Sequence, residues 1–315
     1  MPTITIDDIH AAQQRIRPYV PPTRVEQASD DLGSDVWLKL ENTNLTHSFK
    51  IRGALNAALS LDEAAKSKGL VTASSGNHAQ GLAYGAHLAG VQASILMPAH
   101  TPARKVSGVR RYGAIALTDF ANYDEAEAEA LRMAEEDGRT FISAYNDPRI
   151  IAGTGTIGLE ILTDLPDVER VVVCVGGGGL ISGVAMAIKS HNPAIEVIGV
   201  CAQSAPTMYN LMNNTDHPEV WETWAEALSG GIEADALTIT MTRQYVDQIV
   251  MVTEAQIANA MRWAVDAAGW LVEGGGAVGI AALLHHVIAD HGKKTAVVVS
   301  GGNLDLKTLL TILDP

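Results

Sequence analysis

The stretch "RVVVCVGGGGLISGVAMAIKSHNP", residues 170–193, decides the fold. After Arg170, residues Val171–Val175 form an apolar, largely β-branched run of strand length. Four consecutive glycines follow, then a segment of helical length that stops at Pro193. Strand, glycine turn and helix in that order make one βα unit, and a run without polar alternation predicts a strand buried in a parallel sheet.

The same order recurs outward from it. "GLVTAS" (69–74) precedes "NHAQGLAYGAHLAG" (77–90), and "QASILMP" (92–98) precedes a short helix in "TPARKVSGVRRYG" (101–113), with Pro102 suited to its first turn. "AIALT" (114–118) leads to a helix over 123–138 ended by Gly138. "VWLKLE" (36–41) alternates as a strand, "IEVIGVCA" (195–202) reads as a buried one, and "TAVVVSGG" (295–302) holds the last clear strand. Thr253 is placed to cap the helix that follows it. Strands separated by helices predict an α/β protein with largely parallel sheets. No repeat, low-complexity tract or Pro/Ser-rich linker divides the 315 residues, so any two-domain arrangement is intertwined.

Composition narrows the function classes. Apolar residues make up 47% and charged residues 18%, and the net charge of −14 with no basic cluster argues against a nucleic-acid partner. The longest apolar runs are strand-length, short of a membrane span, and the N-terminus lacks the basic and apolar regions of a signal peptide. Cys174 and Cys201 form no CxxC pair, so neither a disulfide framework nor a zinc site is expected. These features predict a cytoplasmic enzyme.

Four loops follow strands, where α/β proteins bind ligands. In "VGGGGLISG" (175–183) backbone N–H groups and a helix N-terminus can converge on an anion, as for a phosphate, or the glycines make a tight turn. No Walker or GxGxxG pattern is present, so a phosphate there belongs to something smaller than a dinucleotide. "SSGNHAQG" (74–81) offers Ser74, Ser75, Asn77 and amides to a carboxylate or a polar ring substituent, or is a capped turn. "VSGGN" (299–303) presents Ser300, and "VEGGGAVG" (272–279) presents Glu273 before a glycine run. Lys50, in "THSFKIRGALNAA" (46–58), heads an apolar-periodic run after Phe49. It is a solvated helix-start residue or a covalent catalyst. A phosphate loop, a ring-binding loop and a lysine amine together describe pyridoxal phosphate, whose aldehyde condenses with lysine and whose ring acts as an electron sink.

With those loops in order, the sequence resembles the fold type II pyridoxal-phosphate enzymes, specifically the serine/threonine dehydratase and serine racemase family. "SFKIRGA" is similar to its lysine motif, "SSGNHAQG" to its substrate-carboxylate loop, "GGGGL" to its phosphate cup and "SGGN" to its pyridine-nitrogen loop. The resemblance implies a tryptophan synthase β-like fold: two open, twisted, mostly parallel sheets flanked by helices. It implies a large cofactor-binding domain, 1–62 with 147–315, a small domain, 63–146, and a homodimer. By the same resemblance Lys50 carries the cofactor, and Phe49, Asn77, Asn146 and Glu273 line its site. Gly176, Gly177, Gly178, Gly179 and Leu180 bind the phosphate, and Ser300 faces the ring nitrogen. Ser74, Ser75, Gly76, Asn77 and His78 hold an amino-acid substrate, with Lys50 and Ser75 as the catalytic pair on opposite faces of Cα.

Four positions depart from the family. His47 stands where glycine is usual, and either reshapes the substrate pocket or packs at a helix start. Cys201 and Thr207 occupy places where racemase-like members carry acidic cation ligands, so no Mg²⁺ or Ca²⁺ is expected there. "EGGGAVG" replaces glutamate-proline-threonine/serine-alanine-glycine, and Arg24 follows Thr23 where proline is typical. The implied activity is a lyase that eliminates water from L-threonine or L-serine. Serine racemisation, or dehydration of a larger β-hydroxy amino acid (3-hydroxyaspartate, phenylserine or a hydroxyectoine-degradation intermediate), remain as alternatives.

Overall fold

The computed structural model describes residues 4–314. It has ten strands: β1 (Val25–Gln27), β2 (Val36–Leu40), β3 (Leu70–Ala73), β4 (Ala93–Pro98), β5 (Ile115–Phe120), β6 (Thr140–Phe141), β7 (Arg170–Cys174), β8 (Glu196–Ala202), β9 (Gln248–Val252) and β10 (Thr295–Val299). They form two sheets, ordered β1-β2-β10-β7-β8-β9 and β5-β4-β3-β6. Every pairing is parallel except the edge pair β1–β2. β7 and β10 are buried at every residue, as their unbroken apolar runs require.

The chain forms two compact units. One contains Lys50–Thr154 with the chain up to Pro21; the other contains Pro22–Phe49 and the chain from Gly155 onward. The expected small domain, 63–146, lies inside the first unit. That unit also takes in the helix Lys50–Leu59 and the start of the helix Pro148–Asp164. Glycines bring these elements together. A Cβ on Gly153 would stand 2.6 Å from both the Arg52 carbonyl oxygen and Gly53 Cα, and one on Gly53 would stand 2.8 Å from the Ile150 carbonyl oxygen. On its other side the same helix meets Asn77–Ala89, where a Cβ on Gly81 would lie 3.0 Å from the Lys50 carbonyl carbon and one on Gly85 2.9 Å from Leu55 N. The helix Lys50–Leu59 is therefore gripped by backbone on two sides. Ile51 and Leu55 fill the remaining space with Ile16 and Val20.

Both sheets share a topological device. In the six-stranded sheet the chain goes one way from β7 through β8 to β9, while β10 and β2 lie on the other side. In the four-stranded sheet it goes one way from β3 through β4 to β5, while β6 lies on the other side. The crevices outside strand ends at such reversals are where open parallel sheets receive ligands.

Gly153→Ala must force the helices apart. It is expected to lower stability by about 1–3 kcal/mol, the usual cost of overpacking. Denaturant midpoints of the two proteins check it. Gly231→Ala, where a Cβ would meet nothing within 4 Å and φ is not left-handed, supplies the comparison without the steric contact.

Candidate active site

Three neighbouring strands deliver the loops of the six-stranded sheet. β2, β10 and β7 run side by side and parallel, with Leu40 opposite Val299 and Val297 opposite Val172. From their carboxyl ends emerge residues 41–49, the loop at Ser300 and the four glycines, in that order across the sheet.

The glycine loop is shaped for an anion. Gly178 adopts φ +87° and caps the thirteen-residue helix Gly179–His191, whose first turn carries no acidic residue. A Cβ on Gly176 would come within 2.7 Å of the Leu228 carbonyl oxygen, and one on Gly178 within 2.7 Å of Met208 Cε. Side chains are thus excluded, which leaves backbone N–H groups and the positive end of the helix dipole to face a ligand. A phosphate fits this cradle.

The loop at Ser300 is buried and works as a clasp. The Ser300 carbonyl accepts from Phe49 N at 3.0 Å, Ser48 bridges Gly301, the His47 carbonyl accepts from Gly302 N at 2.9 Å, and Asn303 Nδ2 donates to the Thr46 carbonyl at 2.9 Å. The Gly301 carbonyl also accepts from Glu273 N at 3.1 Å. Residues 46–49 are thereby held like an extra strand, and the next peptide bond leads to Lys50. Beneath them lies a buried polar base. Lys39 Nζ stands 2.7 Å from Glu160 Oε2, and Glu41 accepts from Thr23 Oγ1 at 2.5 Å and from Asn44 Nδ2 at 3.1 Å. Charges this deeply buried persist only when paired.

Two departures from the family pattern are explained here. His47 is exposed and adopts φ +54°, so the position calls for a left-handed backbone. Glycine is usual there because it adopts that conformation without strain. An exposed side chain does not pack at a helix start, so that expectation for His47 is not met. The glycines of 274–276 open the helix Gly274–Leu284 under close cover: a Cβ on Gly274 would stand 2.0 Å from the Trp224 carbonyl oxygen, and one on Gly276 2.7 Å from that of Gly301. The segment over Gly274 is pinned by Glu254, which accepts from Ser204 Oγ (2.6 Å), Thr223 Oγ1 (2.8 Å) and Trp224 N (2.8 Å). Arg24 is mostly exposed and pairs with Glu26 at 3.3 Å, a contact of small energetic weight. Cys201 lies fully buried on β8, where burial pushes its thiol up to about 12, and the Thr207 hydroxyl donates to the Gly230 carbonyl.

In the four-stranded sheet the neighbours β3 and β6 lead into residues 74–78 and 142–146. Ser74 N donates to the Leu96 carbonyl, Gly76 N to Ser74 Oγ, and Gly76 caps the helix Asn77–Ala89. Ser143 Oγ accepts from Asn146 N at 3.0 Å, which bends the second loop. Lys50 Nζ donates to the Ala144 carbonyl at 2.8 Å. The Ile142 carbonyl accepts from Thr72 Oγ1 at 2.8 Å and lies 3.3 Å from His78 Nε2. Burial, and after it the charge of Lys50, pushes His78 down to about 3, against a smaller upward effect of the Ile142 hydrogen bond. The imidazole is therefore neutral, with its proton on Nε2, and its buried Nδ1 has no partner. The His78 ring is thereby turned to the Ile142 carbonyl at the start of that loop. Lys50, Ser74, Ser75, Gly76, Asn77, His78 and Asn146 belong to the first unit; Phe49, residues 176–180, Glu273 and Ser300 belong to the second. Sequence reasoning missed Thr72 and the Ala144 carbonyl, since neither a strand threonine nor a main-chain oxygen carries a motif.

The sequence profile described as "Pyridoxal-phosphate dependent enzyme" matches residues 16–302. The chain belongs to that family. It is 43% identical to an L-threonine ammonia-lyase of Thermotoga maritima over 99% of this chain and 78% of that one. It is 38% identical to a catabolic L-threonine dehydratase of Escherichia coli over 98% of this chain and 96% of that one. Among solved structures it is similar to maize serine racemase, with TM-score 0.91, 35% identity, and 99% and 97% of the two chains covered. The architecture is the type II fold of the pyridoxal-phosphate enzymes, and the cofactor of the family is the one the glycine cradle fits.

Two outcomes follow from the histidines. Unfolded protein takes up a proton near pH 6.5 that the buried His78 refuses until about pH 3, so stability falls as pH drops through that window, by roughly 5 kcal/mol in full. Denaturant titrations from pH 7 to 4 should show a shallower fall in His78→Gln. His47→Gly should gain up to about 1 kcal/mol by relieving the left-handed strain, read as a higher thermal midpoint.

Proposed function

We propose that this protein is a pyridoxal-phosphate-dependent lyase that dehydrates L-threonine, L-serine or a related β-hydroxy amino acid, releasing a 2-oxo acid and ammonia. One observation carries the reading. The three loops from adjacent strands β2, β10 and β7 hold the lysine-bearing segment, the buried Ser300 and an anion cradle. The chain is also similar to an L-threonine ammonia-lyase over 99% of its length.

When bound, pyridoxal phosphate supplies an electron sink for the charge left on Cα after its proton is removed. In this reading residues 176–180 hold the phosphate, Ser300 meets the ring nitrogen, and Phe49, Asn77, Asn146 and Glu273 line the ring. Residues 74–78 bind the substrate carboxylate through backbone N–H groups and hydroxyls. The Lys50 amine holds the cofactor and carries the Cα proton, with the Ala144 carbonyl as acceptor for its N–H. Water leaves from the β-position and is regained when the product hydrolyses. The functional division is a cofactor-holding part, 1–62 and 147–315, and a smaller part, 63–146. The chain acts as a homodimer in the cytoplasm, without a nucleic-acid partner or a divalent cation at Cys201 and Thr207. No described helix is long and apolar enough to cross a membrane.

Serine racemisation is a second reading, favoured by the likeness to maize serine racemase and by Ser75 in the loop after β3. Inverting Cα needs a proton carrier on the face opposite Lys50, and a hydroxyl permits this without requiring it. Dehydration should dominate. Larger substrates are separated from threonine and serine by the panel below.

Keto acid and ammonia release would be measured with L-threonine, L-serine, 3-hydroxyaspartate and phenylserine, beside chiral chromatography of unreacted serine. Faster appearance of D-serine than of pyruvate would overturn the lyase reading. Lys50→Ala should abolish turnover, and borohydride trapping with peptide mapping should find the cofactor on Lys50 in the parent protein and on no single lysine in the variant. Ser75→Ala should remove any D-serine formation while leaving L-serine elimination largely intact.

A further inference from the structure

The glycine loop has a neighbour that no motif announces. Thr238 lies in the first turn of the helix Leu237–Tyr245 and is fully buried. Its Cβ and Oγ1 stand 3.0 and 3.3 Å from the point where Gly178 would carry a Cβ. Its hydroxyl has no hydrogen-bond partner. A buried hydroxyl without a partner is costly, and evolution tolerates it where a ligand or a water completes the bond. Gly178 is also the cap of the helix Gly179–His191, so the hydroxyl abuts the point where that helix turns its free N–H groups outward. Two independent features therefore converge on one spot: a helix start stripped of side chains, and a buried donor with nothing to donate to.

We propose that the Thr238 hydroxyl donates a hydrogen bond to the phosphate held by residues 176–179, adding a side-chain ligand to a cradle otherwise built from backbone. The inference rests on the reading that this loop takes the cofactor phosphate. A hydroxyl suits the position. It adds a directed donor without a positive charge, and a threonine against Gly178 occupies the space that a Cβ there would need. One turn deeper on the same helix face, Thr242 also carries a buried, unpartnered hydroxyl. It does not adjoin Gly178 and serves as the internal control.

The test uses the apoprotein of the full chain, titrated separately with pyridoxal phosphate and with pyridoxal, which lacks the phosphate. Thr238→Val should raise the dissociation constant for pyridoxal phosphate about tenfold or more, the loss expected for one hydrogen bond to a charged group. Its affinity for pyridoxal should not change. Thr238→Ser should restore most of the affinity, and Thr242→Val should match the parent with both ligands. Apo Thr238→Val should melt no lower than the apo parent, since it loses a hydroxyl that was unsatisfied. Thr238→Ala repeats the titration should valine disturb the helix. Unchanged affinity for pyridoxal phosphate, or equal weakening of both ligands, overturns the assignment of Thr238 alone. A parent protein that binds pyridoxal as tightly as pyridoxal phosphate overturns the phosphate cradle itself, and the assignment with it.

Discussion

Backbone-to-backbone packing along the helix Lys50–Leu59 is the constraint on which the rest depends. Gly81 and Gly85 press on it from one side, and Gly153, facing Gly53, from the other. Side chains at these places would hold the helices a further ångström or more apart. Without them, the position of Lys50 is set by main-chain atoms, which cannot change rotamer. The donors and acceptors around it inherit that rigidity. Residues 74–78 enter the same helix that carries Gly81, and the Ala144 carbonyl that meets Lys50 lies shortly before the helix that carries Gly153. Rigid elements fix the origin of a side chain more closely than loops do.

The second constraint is strand order. In both sheets the chain reverses direction, and in the six-stranded sheet residues 41–49, the loop at Ser300 and the four glycines leave from adjacent strands. The loop at Ser300 holds residues 46–49 through two backbone hydrogen bonds and one side-chain amide bond, so the segment is anchored before the helix Lys50–Leu59 begins. Above the glycine run at 274–276, the Trp224 carbonyl takes the room a side chain would need, and the Glu254 carboxylate fixes that cover. The glycines at 274 and 276 are thus steric requirements.

Much of this was legible in the sequence because its causes are local. The apolar runs of β7, β8 and β10, the Thr253 cap and the glycine at 138 each announce themselves through short-range chemistry. Other features depend on partners far along the chain. The helix Pro148–Asp164 carries three glycines and three threonines, a composition that argues against a helix until its packing on Arg52 and Val184 is known. β1 and β6, three and two residues long, have too few residues to show a period. At His47 the motif was visible but the backbone angle behind it was not. Thr238 gave no signal, since one threonine in a run of "LTITMT" marks neither a cap nor a turn.

The position of β10 has a consequence for how the protein is made. It is the last of the described strands, yet it sits in the interior of its sheet between β2 and β7, paired with a strand some 260 residues earlier. A nascent chain leaving the ribosome therefore displays β2 and β7 with their facing edges open until residues 295–299 have been synthesised. At ordinary elongation rates that lasts many seconds, and exposed parallel edges are sites of wrong pairing. The first unit has no such debt, because its four strands lie within residues 70–141 and can assemble while synthesis continues. The order of birth thus separates the two: the four-stranded sheet can form early, whereas the six-stranded sheet, and with it the clasp on residues 46–49, waits for β10. A chain cut short before β10 would carry residues 46–49 but lack the loop at Ser300 that holds them.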